Sequence, residues 1–237
     1  MRTYSVAAVV LAAVLTVGAA GCAGSSATER QNPVTDATER TVFRILPDPA
    51  FGAQNVVPRR PASITVTSGS LKSVELTDAA GNRVDGSLSS DKRSWTADGK
   101  PAFATQYQWQ GVAVDKNGKR YPISGSFQTI DPDVLVTTTT NVVDGGIYPA
   151  DLRIAVTFSA PVQKRDMVAN LMQITTSPRT RGSWQWSEDG RVATWQPRGS
   201  WRPGTKVELD AELYGVMLAP GHYGAADKKL GFRITDQ

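Results

Sequence analysis

The sequence predicts an all-β protein built as two sandwiches in tandem, and three observations carry that expectation. Short segments of alternating or β-branched character recur from residue 41 to the end of the chain. Glycine- and asparagine-bearing turns separate them, a spacing that suits a sandwich or barrel rather than a parallel α/β sheet. The second half of the chain also repeats signatures of the first.

The segments before residue 41 are of a different kind. Residues 1–22 read as a secretory signal: Arg2 supplies a positive charge, residues 6–17 are apolar, and Ala19, Ala20 and Gly21 are small. The apolar run is too short to span a bilayer comfortably. Small residues followed at once by Cys22 resemble a bacterial lipobox, in which the cysteine sulfur receives a diacylglycerol. The expected location is therefore the outer face of the cytoplasmic membrane, with the membrane as a partner through the lipid anchor. Residues 23–40, "AGSSATERQNPVTDATER", have no apolar periodicity and read as a tether. Eighteen such residues reach roughly 25 Å.

The first sandwich is expected over residues 41–131. Its strand candidates are "TVFRIL" (41–46), "SITVTS" (63–68), "KSVELTD" (72–78) and "TQYQWQGVAV" (105–114). The Asn117-Gly118 pair in "DKNGKRY" predicts a two-residue hairpin turn with both central residues at positive φ. The second sandwich, over residues 132–237, offers "VLVTTTT", "LRIAVTFS", "LMQITTS", "SWQWS", "VATWQP", "KVELDAELYGV" and "LGFRITD". One helix is expected, over residues 164–171, as a crossover between strands.

Three pairs of segments look like copies. "ITVTSG" (64–69) answers "IAVTFS" (154–159), "GSLSSDKRSW" answers "GSWQWSEDGRVATW", and "GSFQTID" answers "LGFRITD". Their separation of about 90–105 residues is one immunoglobulin-sized sandwich. The bridge "QTIDPDVLV" is short and carries Pro132, which leaves the two sandwiches little freedom.

The stretch 161–224 is specific enough to name a family. Pro161-Val162, the short helix, "TTSP", "GSWQW", "TWQP", Trp201 to Thr205 ("WRPGT") and the "YGV…GHYG" hairpin resemble the bacterial immunoglobulin-like domain that precedes the catalytic domain in actinobacterial L,D-transpeptidases. Residues 41–131 are a looser match to the membrane-proximal immunoglobulin-like domain of those enzymes. The resemblance implies two immunoglobulin-like sandwiches in a cell-envelope protein connected with peptidoglycan crosslinking. Enzymes of that family transfer an acyl group through a cysteine thiolate in a Ser/Thr-His-Gly-Cys segment. A thiolate nucleophile needs a base and oxyanion donors close by. This sequence holds one cysteine, Cys22, and one histidine, His222, about 200 residues apart, and no such segment. No catalytic residue, metal site or cofactor is therefore expected.

Composition narrows the remaining functions. A 40% hydrophobic and 20% charged chain is ordinary for a globular protein. A net charge of +4 without clustered Lys and Arg is too weak a footprint for nucleic acid. Glu208, Asp210 and Glu212 alternate opposite Val207, Leu209, Ala211 and Leu213, which is how a solvated strand face looks. The tryptophans Trp184, Trp186, Trp195 and Trp201 admit two readings: an aromatic platform for glycan sugars, or sandwich core and domain contact. The expected function is a non-catalytic envelope spacer or interaction module, with peptidoglycan or a cell-wall enzyme as partner. The alternatives are the leading part of an L,D-transpeptidase and a wall-glycan binder.

Overall fold

The computed structural model describes residues 42–235, so Cys22, the signal segment and the tether lie outside the described residues. The described chain is almost entirely strand. In its first part, β1 (Ile45–Asp48), β2 (Ser63–Val66), β4 (Gly86–Leu88) and β5 (Ser94–Ala97) form a sheet in the order β1-β2-β5-β4. The strands β3 (Ser70–Asp78), β6 (Gln106–Val114) and β7 (Arg120–Gln128) form a second, in the order β3-β6-β7. Alternation puts Ile64 and Val66 of β2, Trp95 and Ala97 of β5, Tyr107 and Trp109 of β6, and Ile123 and Phe127 of β7 into one buried cluster, and a register shift between Leu71 and Ser73 lets both Leu71 and Leu76 of β3 join it. Trp95 meets Trp109 edge-on across the two sheets, with ring centroids 5.5 Å apart, an arrangement aromatic quadrupoles favour.

The second part repeats this plan with additions. The strands β9 (Thr138–Thr140), β11 (Ile154–Phe158), β13 (Gly182–Trp186) and β14 (Val192–Pro197) form a sheet in the order β13-β14-β11-β9. Against it stands β10-β18-β15-β12, from β10 (Ile147–Tyr148), β12 (Met172–Ser177), β15 (Lys206–Ala211) and β18 (Lys228–Ile234). A small third sheet joins the hairpin of β16 (Met217–Ala219) and β17 (His222–Gly224) to β8 (Val134–Val136), which runs parallel to β17. The single helix of the described residues, α1 (Arg165–Leu171), carries the chain from β11 to β12, as the crossover expected from the sequence. Strands within residues 45–128 pair only with each other, as do those within 134–234.

The internal copies correspond in three dimensions. In the first part Gly86 faces the indole of Trp95 across the β4–β5 pair; in the second, Gly182 faces that of Trp195 across β13–β14. A methyl group on either glycine would overlap the indole Cζ2 and the carbonyl oxygen of the residue after the tryptophan. The turns between these strands also match. Ser89 and Ser187 each donate a hydroxyl hydrogen bond, at 2.6 Å, to Asp91 and Asp189. The guanidinium of Arg93 reaches the Thr67 carbonyl as that of Arg191 reaches the Ser159 carbonyl. Trp184 stands opposite Trp195 as Leu88 stands opposite Trp95, and the β13–β14 hairpin, longer than its counterpart, adds Trp186 beyond it.

Two local expectations are corrected. The β6–β7 turn is not the two-residue type with two positive-φ residues, because only Gly118 has positive φ, at +82°. Asp115 is the cause. Its Oδ1 accepts hydrogen bonds from the Asn117 and Lys119 N–H groups at 2.8 and 3.0 Å, which leaves Asn117 in an ordinary conformation and makes Gly118 the one residue that needs the left-handed region. Second, "VLVTTTT" is not one strand. At Thr137 it leaves β17 and joins β11, pinned there by a mutual pair: the Thr137 N–H donates to the Ser159 hydroxyl and the Ser159 N–H donates to the Thr137 carbonyl, each at 3.0 Å.

Candidate functional site

The four tryptophans singled out from the sequence do not form a surface platform. Trp195 and Trp201 are 5% and 3% exposed and pack against each other with centroids 5.2 Å apart. The Trp201 indole N–H donates to the Leu152 carbonyl at 2.8 Å. Trp184 and Trp186 lie on one face of β13, as their two-residue spacing requires, and that face turns inward. Trp184 packs on both buried clusters of the second sandwich and donates its indole N–H to the Met172 carbonyl at 2.8 Å. Trp186 packs against Phe158 at 5.5 Å, and its buried N–H has no partner among the described residues. Trp195 and Trp201 are thus core residues, while Trp184 and Trp186 are partly buried rings packed on that core.

His222 begins β17 and is partly buried, beside the Gly221 turn and Asp133. Its Nδ1 is buried without a hydrogen-bond partner. No group of three His, Cys, Asp or Glu side chains among the described residues could hold a metal.

What the structure does assemble is a seam between the two sandwiches, which sequence reasoning missed because its members lie over 100 residues apart. Three elements supply it: the 98–103 turn of the first sandwich, Arg59 of its 57–62 segment, and the 213–227 region of the second. The Tyr214 hydroxyl donates to the Pro101 carbonyl at 2.7 Å. The Phe103 ring lies 5.1 Å from that of Tyr214 and 6.1 Å from that of Tyr223. The Lys100 ammonium binds the Asp227 carboxylate at 2.5 Å and sits 5.7 Å over the Tyr214 ring. Asp227 in turn accepts the Tyr214 backbone N–H at 2.8 Å. At Gly215 the stem of Arg59 passes so near that a side chain would collide with its Cγ.

Electrostatics follow from this arrangement. Partial burial pushes the Asp227 carboxyl up, but the hydrogen bonds from Lys100 and the Tyr214 N–H, with the charges of Lys100 and Arg59, outweigh it and hold the group below its ordinary value. Burial raises the Tyr214 phenol, helped by Tyr107 and Asp227. A solvent-exposed ion pair is worth little by itself. The aromatic contacts and the hydrogen bond to the Pro101 carbonyl carry more of the seam's energy, at ~0.5–1.5 kcal/mol per ring pair beyond area burial and about 1 kcal/mol for the hydrogen bond. Beside the seam opens a cleft of about 820 Å³ lined by both sandwiches, including Arg59, Arg60, Lys100, Asp210, Glu212 and Lys229. Its lining mixes both signs of charge.

These features define a class: an all-β module of two sandwiches joined by a seam of aromatic, hydrogen-bond and ion-pair contacts. Comparison with known proteins makes the family definite. The bacterial Ig domain model matches residues 53–217, and the chain belongs to that family. Among curated relatives it is similar to L,D-transpeptidase 5 of Mycobacterium tuberculosis, 34% identical over 228 residues that cover 95% of this chain and 49% of the relative. It is also similar to L,D-transpeptidase 2 of the same species, 28% identical over 78% of this chain and 45% of the relative. The chain thus spans about half the length of the curated relatives it matches. A solved structure of M. tuberculosis L,D-transpeptidase 1 aligns at 23% identity and a TM-score of 0.31, covering 44% of this chain and 40% of that one.

Proposed function

We propose that this chain is a cell-envelope module, a spacer and interaction unit of two immunoglobulin-like sandwiches that serves L,D-transpeptidase-type wall remodelling without performing acyl transfer itself. The observation that carries this reading is the 34% identity with an L,D-transpeptidase over 95% of the chain. The inward-facing tryptophans and the ordered seam agree with a part that positions something else. Cys22, in this reading, carries a diacylglycerol that holds the module at the outer face of the cytoplasmic membrane, with residues 23–40 as its tether. A second reading, favoured by the chain's span of about half of its relatives, makes it the leading part of an L,D-transpeptidase, where the two sandwiches do the same work for a catalytic domain in the same polypeptide.

The test of the module is functional separation. Purified chain is incubated with isolated peptidoglycan, and its sedimentation and the crosslink profile of the muropeptides are measured. Sedimentation without new crosslinks is the expected result. New 3→3 crosslinks, or failure to associate with either the wall or a wall enzyme, overturn it. Reading the DNA downstream of the Gln237 codon separates the two forms of the proposal: a Ser/Thr-His-Gly-Cys segment in any frame within about one domain length favours the second. Lipidation is tested by metabolic labelling with a fatty-acid analogue, expected to disappear in Cys22→Ala; label that persists in the variant refutes the anchor.

A further inference from the structure

At the open side of the second sandwich, the edge strands β12 and β13 bound a cleft of about 590 Å³. Ile174, Thr176, Thr180, Gly182 and Trp195 line it, together with the exposed Arg179, Arg181 and Arg198. We infer that this cleft is an anion site, with the three arginines binding a phosphate or pyrophosphate group. It goes beyond the module reading and does not depend on it.

The argument begins with the register. Gly182 pairs with Pro197 at the end of the β13–β14 ladder, and the next step places Arg181 opposite Arg198, whose N–H donates to the Arg181 carbonyl at 2.7 Å. Two like charges directly opposite on one sheet face destabilise the pairing. Folding therefore gains nothing from putting arginines at both positions, and Arg179 adds a third positive charge on the same cleft. No acidic residue lines it. Glu208, opposite Thr175 on the neighbouring strand, lines a separate cleft with Lys206 and Arg233. The ion pairs among the described residues are Lys100–Asp227 and Lys229–Asp210, so none of the three guanidinium groups is neutralised.

Places where a sequence breaks a local rule without structural compensation are where function is expected. A bound anion would supply the missing compensation. The planar fork of each guanidinium matches the oxygens of a phosphate or carboxylate. Three such forks at one cleft suit a dianionic phosphate better than a single carboxylate, in charge and in number of acceptors. Phosphate of this kind is available free in solution and as the headgroup of an anionic lipid.

The experiment measures thermal unfolding of the purified chain in sodium pyrophosphate and in sodium chloride and sodium acetate of the same ionic strength. At ten times its Kd, pyrophosphate should raise Tm by roughly 3 °C over chloride, while acetate should not. The double variant Arg181→Gln/Arg198→Gln should lose that rise and, with the repulsion gone, melt in chloride no lower than the wild type. Arg120→Gln, on β7, should keep the full response. Should the double variant fold poorly, Arg179→Gln and the Trp195 indole N–H resonance of the wild type report the same binding. Flotation with phosphatidylglycerol vesicles, against phosphatidylcholine vesicles, tells a lipid headgroup from free phosphate as the source. Equal Tm in pyrophosphate, acetate and chloride, or an undiminished response in the double variant, overturns the site.

Discussion

At the residue scale, the glycine–tryptophan pair used once in each sandwich shows how little freedom the strand interiors have. Trp195 occupies the space that any side chain at position 182 would need, and the neighbouring carbonyl oxygen of Gln196 blocks the remaining room. Gly182→Ala should therefore destabilise the protein by about 1–3 kcal/mol through overpacking, measured by urea unfolding. Gly52→Ala, with open space around it but a φ of +78°, should be milder because only backbone strain opposes it. The sequence displayed this pair as an aligned "GS…W" signature without showing what the glycine was for. Its purpose is a close approach between strands, which requires knowing which residues face each other.

At the scale of single elements, β13 settles what the aromatic spacing meant. A two-residue spacing says that Trp184 and Trp186 share a face, and the sequence could not say which one. The answer depends on β13 being the edge of a sheet whose inner face carries Phe158 of β11 and meets Met172 of the facing sheet. Trp186→Ala should then cost about 2–3 kcal/mol, less than the removal of a fully buried aromatic, and lower the urea midpoint without selectively changing any wall association. A variant that stays fully stable but stops sedimenting with peptidoglycan would return the ring to the surface. The strands, the crossover helix and the internal copies were legible because period and turn residues are local signals. The split of "VLVTTTT" was not, since it depends on two different partners, β17 and β11. The Asp115 turn was half legible: the Asn-Gly pair marked its place, and a carboxylate two residues earlier decided its type.

At the scale of the whole described chain, the seam decides whether the two sandwiches move as one. Its residues come from positions 59, 100–103, 214–215, 223 and 227, and no periodicity in the sequence links them. Tyr214→Ala removes both the ring contact with Phe103 and the hydrogen bond to Pro101. The expected result in small-angle scattering is a larger radius of gyration with each sandwich still folded. Unchanged scattering would show that the short bridge at Pro132 suffices alone. The seam also makes a pH prediction. Because the Asp227 carboxyl titrates below its ordinary value in the folded protein, the unfolded chain binds more protons as acid is added. Its stabilising contribution is complete above the unfolded carboxylate value of about 3.9 and is lost as pH falls through the lower folded value. Asp78, Asp91 and Asp189 are shifted in the same direction, so the contribution of the seam is the difference between wild type and Asp227→Asn. That variant should be less stable near neutrality and show a shallower loss of stability below about pH 4.

The parallel pairing of β8 with β17, and of β10 with β18, has a mechanical consequence. Tension applied between the entry to the second sandwich near Val134 and its last strand near Ile234 slides parallel strands past each other. The hydrogen bonds of each pair then resist together in shear, instead of opening one after another as at the end of a hairpin. In single-molecule pulling, the second sandwich should yield at higher force when held at these two points than when held across the β16–β17 hairpin, whose antiparallel bonds open in sequence.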